Sequence, residues 1–91
     1  ARELAQRAMQ STATWDGQTE FIATRLLTRP LSAKEQAIAR ASFEKFRAYY
    51  ATHEDDARKF LNQGEHKPDP ALPQPELAAM AMLTSQLLNL D

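Results

Sequence analysis

The chain contains no cysteine and only two glycines among its 91 residues. Without thiols these residues hold no disulfide framework, no thiolate metal site and no Cys-x-x-Cys-His haem attachment, so no cofactor is expected in them. Long apolar runs are also missing. "LAAMAML" at Leu77 to Leu83 falls far short of the roughly 20 residues a membrane span needs, which predicts no membrane insertion. Charge of one sign is not in excess either, with 11 Lys/Arg against 12 Asp/Glu. A nucleic-acid module gathers basic residues into a patch on a clearly basic domain, and this balance argues against one. No strand-like alternation, repeat or low-complexity segment occurs. The opening "ARELAQRAMQ" has no initiator methionine and no signal-peptide pattern, which predicts a piece excised from a longer protein.

What is present is a globular composition, 43% hydrophobic and 25% charged, well away from disorder. A chain of this length buries roughly 60 to 65% of the surface its unfolded form exposes, enough for one modest core. The two halves differ in charge. Residues 1–50 carry 8 Lys/Arg against 5 Asp/Glu, and residues 51–91 carry 3 against 7, a weak polarity that suits docking of one half on the other or has no role.

The apolar spacing is helical. Leu4, Ala5, Ala8 and Met9 predict a first helix from Arg2 to about Thr12. "STATWDGQ" interrupts it, with Asp16 the expected N-cap of a second helix over Gly17 to Thr28 that Pro30 terminates. "LSAKE" is the clearest local signal, because Ser32 and Glu35 have the spacing of a capping box. The third helix that follows carries Ala39, Phe43, Phe46 and Tyr50 as a core-facing stripe, with Ser42 and Tyr49 beside it. Thr52 with Asp55 is the expected cap of a fourth helix, "HEDDARKFLNQ", with Gly64 just past its end; the alternative is one helix over 33–63. A last helix begins at Pro75 and runs to about Leu90. Leu77, Met80, Ala81, Thr84 and Leu88 form one apolar face and Ala79, Leu83, Leu87 and Leu90 another. Ala78, Met82, Ser85 and Asn89 are the weakly polar stripe left over. A helix apolar over so much of its girth is a central one.

Few residues carry chemistry. His53 and His66, with Asp55, Asp56, Glu65 and Asp69, contain the ingredients of a His/carboxylate metal site, but the spacing better fits an acidic helix start. No nucleophile or Gly-rich phosphate loop accompanies them, so no catalytic and no metal residue is assigned. Arg40, Lys45 and Arg47 read as cations scattered around the third helix. Trp15 reads as a loop anchor packed over the helix ends as part of the core, the alternative being an exposed partner contact.

The stretch "GEHKPDPALPQPELAA" holds four of the five prolines. Flexible linkers are rich in Gly and Ser and join independent cores, whereas only one apolar helix follows here. The prolines therefore predict a stiffened crossover within one bundle, anchored by Leu72.

Three segments, "RLLTRPLSAKE", "FLNQGEHKPDPAL" and "ELAAMAMLTSQLLNLD", together resemble the C-terminal region of planctomycete-type cytochrome c domain-containing proteins. These are large exported bacterial proteins whose C-terminal half is a domain of unknown function. The resemblance covers roughly residues 20 to 91. It implies a haem module elsewhere in the parent protein, a helical C-terminal end here, and a periplasmic or cell-surface location. It carries over no catalytic residue.

These readings converge on an all-α fold, a single small irregular or orthogonal bundle of four to five helices with a proline-rich crossover loop. The expected role is a non-enzymatic structural or protein-interaction module. Its expected partner is the preceding domain of the parent chain, met through Met82, Ser85 and Asn89. The alternatives are an accessory part of a catalytic or carbohydrate-binding cleft formed upstream, reached by His66 or Asp69, and a helical nucleic-acid-binding module.

Overall fold

Ser32 and Glu35 form the reciprocal capping box that their spacing predicts. The Glu35 amide donates to Ser32 Oγ at 3.2 Å and the Ser32 amide donates to Glu35 Oε1 at 2.8 Å. This cap starts the longest of five helices in the computed structural model, which describes residues 2–63 and 67–89. In chain order the helices are α1 (Arg2–Ser11), α2 (Trp15–Leu27), α3 (Ala33–Thr52), α4 (Glu54–Leu61) and α5 (Gln74–Leu88). The fold is therefore an all-α bundle, and its buried apolar residues, drawn from all five helices, form one cluster.

The ends of α2 differ from expectation. Thr14, not Asp16, is its N-cap, with Oγ1 accepting the Gly17 amide at 3.1 Å. Asp16 lies in the first turn, where its charge complements the helix dipole, and accepts from Gln36 Nε2 on α3 at 3.0 Å. Gly17 lets the cap close: a Cβ there would lie 2.8 Å from Thr14 Oγ1 and 2.9 Å from the Thr12 side chain. At the other end α2 stops at Leu27, before the proline can act. Thr28 turns left-handed, φ 59°, and its amide donates to the Thr24 carbonyl at 3.1 Å.

The break after Thr52 is real, but Thr52 does not cap α4. Its hydroxyl donates back to the Tyr49 carbonyl at 3.1 Å, and His53 (φ −130°, ψ 62°) closes α3 and opens α4 without a side-chain cap. Three carboxylates in the first turn of α4, Glu54, Asp55 and Asp56, offset its exposed amides. Tyr50 and Phe60 then stack in parallel, centroids 6.1 Å apart, and hold α4 against the end of α3. Gly64 lies outside the described residues.

Helix α5 is central, in contact with each of the other four. Eight of its fifteen residues are buried, among them Leu77, Met80 and Leu83. Each large apolar side chain so placed is worth about 1.5 to 3 kcal/mol relative to an exposed one. Ala78, Ala79 and Ala81 are fully enclosed, and their small size permits neighbours on several sides. Buried Thr84 is satisfied within the helix by donating to the Met80 carbonyl at 2.7 Å.

Two readings of α5 are corrected. Ala78 was expected on the uncovered stripe and is buried, because neighbours surround the N-terminal part of the helix on all sides. Leu88 was expected in the core and is 56% exposed: in the last turn the side toward α3 is covered, burying Leu87, while the face that continues from buried Thr84 is not. Leu90 lies outside the described residues.

The crossover into α5 is held by α1. Arg2 donates to the Leu61 and Gln63 carbonyls, Gln6 accepts the Asp69 amide, and Gln10 donates to the Asp69 carboxylate. Leu72 packs against the core as expected.

Candidate interaction surface

Met82, Ser85 and Asn89 do not form a free strip. Met82 is half-buried and packed against the core, Ser85 is half-buried, and Asn89 is exposed with Nδ2 donating to the Ser85 carbonyl at 3.0 Å. Only the C-terminal end of the strip is open to a partner.

The exposed apolar surface lies instead beside it, along the seam of α3 and α5. Ile38 is 59% exposed. It borders a groove of about 110 Å³ with Ala39, Ser42, Leu83 and Leu87, bounded by Glu35 and Gln86. The sequence carries a signal for it. Ile38 stands one position ahead of the stripe Ala39, Phe43, Phe46, Tyr50 and out of phase with it, so burying that stripe leaves Ile38 at its edge.

At the α3–α4 junction the histidine and carboxylates are structural. The His53 ring stacks on Tyr49 at 4.0 Å, and its Nδ1–H donates to the Tyr49 carbonyl at 2.8 Å, because a carbonyl can only accept. Tyr49 in turn donates its phenol to Asp56 Oδ2 at 2.6 Å, and that bond to a carboxylate raises the phenol pKa above its usual value. Among the described residues no group of three or more His, Cys, Asp or Glu side chains could hold a metal. Asp69 is committed to its own loop. Ala71 N–H and Gln10 hold its carboxyl below the usual range. His66 and Glu65 lie outside the described residues.

Arg40, Lys45 and Arg47 are not all scattered, which corrects the reading from sequence. Arg40 and Arg47 stand two turns apart on one face and clasp Glu44 between them, Nη2 to Oε1 at 3.1 Å and Nη2 to Oε2 at 2.8 Å. The hydrogen bond from Arg47, with the charge of Arg40 a lesser cause, holds the Glu44 carboxyl below its usual range. The i, i+4, i+7 spacing of Arg40, Glu44 and Arg47 is the signal that could have found this arrangement. Arg40 also lies over the Trp15 ring, 4.9 Å from its centroid, and Trp15 packs at 5.9 Å on Phe43. Trp15 is thus the first residue of α2, and it packs against the core as expected.

No family model, no curated protein and no solved structure matches this chain. Among the described residues no helix is long and apolar enough to cross a membrane.

Proposed function

We propose that this chain is a non-enzymatic helical module whose role is to bind protein, with the preceding domain of its parent chain as the partner. The observation that carries the reading is Ile38, a large apolar side chain left 59% exposed beside an apolar groove at the seam of the two longest helices. An apolar side chain raised over a groove is the anchor-and-pocket arrangement on which a few residues supply most of an interface's energy. Asn89 and the exposed Leu88 end the same helix that forms one wall of the groove. The contact is therefore centred on Ile38 and reaches the C-terminal turn of α5. The likeness to the C-terminal region of planctomycete-type cytochrome c domain-containing proteins supports an exported parent and a periplasmic or cell-surface setting.

Two facts weigh against the rivals. Arg40 and Arg47 are a single pair braced around Glu44, not the extended row of cations that follows a phosphate backbone. Asp69 is tied to α1 by Gln6 and Gln10, which weighs against its serving a cleft formed upstream.

The test is titration of the purified upstream domain with this chain and with Ile38→Lys. Binding by the wild type and loss of at least about tenfold in affinity in a variant that melts like wild type are expected. Undiminished binding by Ile38→Lys places the contact elsewhere. Absence of binding by the wild type removes the proposal, and self-association abolished by Ile38→Lys makes a second copy the occupant.

A further inference from the structure

A second concavity, on the other flank of α3, has chemistry that the protein-docking reading does not use. It is a cleft of about 580 Å³ with an apolar floor of Met9, Trp15, Phe43 and Leu72, within the size range of small-molecule sites. Its walls carry Arg40, Glu44, Arg47 and Glu76, two charges of each sign. Glu44 holds one arginine on each oxygen. Arg40 and Glu76 have capacity to spare. Arg40 uses one Nη2 on Glu44, is 52% exposed, and keeps the remaining N–H donors of its guanidinium for another acceptor. Glu76, in the first turn of α5, makes no hydrogen bond or ion pair among the described residues, and its charge acts on Arg47 only through space. Trp15 Nε1 is buried without an acceptor among the described residues.

A ligand of single charge would use only one of the two unfilled groups, the Arg40 donors or the Glu76 carboxylate. A ligand with both charges would use the two together. We infer that the cleft binds a small zwitterion with an apolar body, its carboxylate on Arg40, its ammonium on Glu76 and its side chain on the floor of Trp15 and Phe43. Aromatic surface beside a braced guanidinium favours a flat or bulky side chain in that place. The chemistry is shared by a free apolar amino acid and a short peptide with both ends free, which differ in the separation of their charges.

Trp15 is the only tryptophan, so its emission reports on this cleft alone. The experiment titrates the chain with phenylalanine and with alanylphenylalanine, and with two controls that each lack one charge, phenylalaninamide and N-acetylphenylalanine. A saturable change with one zwitterion, at least about tenfold weaker with both controls, is expected, and the stronger zwitterion identifies the source. Glu76→Gln should abolish the preference for a free ammonium and Arg40→Gln the preference for a free carboxylate, each in a chain that keeps the wild-type far-UV spectrum. Equal responses to zwitterions and controls reduce the cleft to an apolar surface. No saturable response to either zwitterion overturns the inference on the wild type alone, whatever the variants do. Charge preferences that survive both substitutions overturn the assignment of Arg40 and Glu76. None of these outcomes depends on whether the α3–α5 seam binds protein.

Discussion

The Asp69 amide donates to Gln6 Oε1 at 2.9 Å, joining the proline-rich crossover to the first helix across 63 positions of sequence. One turn further along α1, Gln10 donates to Asp69 Oδ2 at 3.0 Å, while Oδ1 accepts the Ala71 amide at 2.9 Å. Arg2, one turn before Gln6, holds the carbonyls of Leu61 and Gln63 at the loop's entry. The polar edge of α1 is thus a three-point fastener, and prolines that stiffen the loop lower the entropy lost when it is fastened. Gln6→Ala should destabilise the fold by about 0.5 to 1.5 kcal/mol and raise the hydrogen-exchange rate of the Asp69 amide. Unchanged exchange there would show that the loop is held without α1.

The turn between α2 and α3 makes stability depend on acid. Arg29 pairs in bidentate fashion with Glu35, Nη1 to Oε1 at 2.8 Å and Nη2 to Oε2 at 2.9 Å, while the same carboxylate accepts the Ser32 amide. The Arg29 hydrogen bond first, then the Ser32 amide, lower the Glu35 pKa from 4.5 to about 2. A folded value below the unfolded one means that the stabilisation is complete above about 4.5 and is lost as pH falls toward about 2. The difference in Tm between wild type and Glu35→Gln should therefore be constant from neutral pH down to mildly acidic pH and shrink through that window. A difference unchanged at the acid end would show that the carboxylate titrates normally.

Much of this architecture is legible in the chain. Ser32 and Glu35 announce their helix because a capping box is built from residues three apart, and the stripe of α3 is legible because burial repeats with the helical period. Thr14 was missed as a cap because Thr12, Thr14 and Asp16 all have the chemistry, and only the close approach at Gly17 selects among them. Leu88 was misplaced because periodicity gives the face of a helix but not how far its neighbours extend along it. Arg2, Gln6 and Gln10 carry a helical spacing too, yet their partners lie at 61 to 69, and no local rule pairs a glutamine with a distant loop amide. The same limit hid the cleft, whose members come from α1, α2, α3 and the α5 entry.

Thr28 holds φ 59°, where a β-branched side chain crowds the following carbonyl and the left-handed region costs an ordinary residue about 1 to 2 kcal/mol. Glycine has no such penalty, though it loses more chain entropy on folding. Thr28→Gly should raise stability by about 1 kcal/mol, read as an upward shift in the denaturation midpoint at unchanged slope. A fall in the midpoint would mean that contacts of the threonine side chain outweigh the strain.

Leu83 and Leu88 lie five residues apart on α5, and apolar patterning assigns both to the core, but their surroundings differ. Leu83 is fully enclosed and touches the α3 seam, whereas Leu88 is 56% exposed. Truncating a buried leucine removes its transfer free energy and leaves a cavity that the bundle only partly fills, at a cost of about 2 to 5 kcal/mol. Truncating one already in water stays within about 0.5 kcal/mol. Leu83→Ala should thus remove a large part of the roughly 5 to 15 kcal/mol that stabilises a small domain, and Leu88→Ala should melt like wild type. The pair also separates stability from docking, since Leu88 belongs to the proposed contact and not to the core. Leu88→Ala should weaken binding to the upstream domain while leaving the denaturation curve in place, and an equal loss of stability in the two variants would show that Leu88 is packed in solution and that the end of α5 is not a free surface.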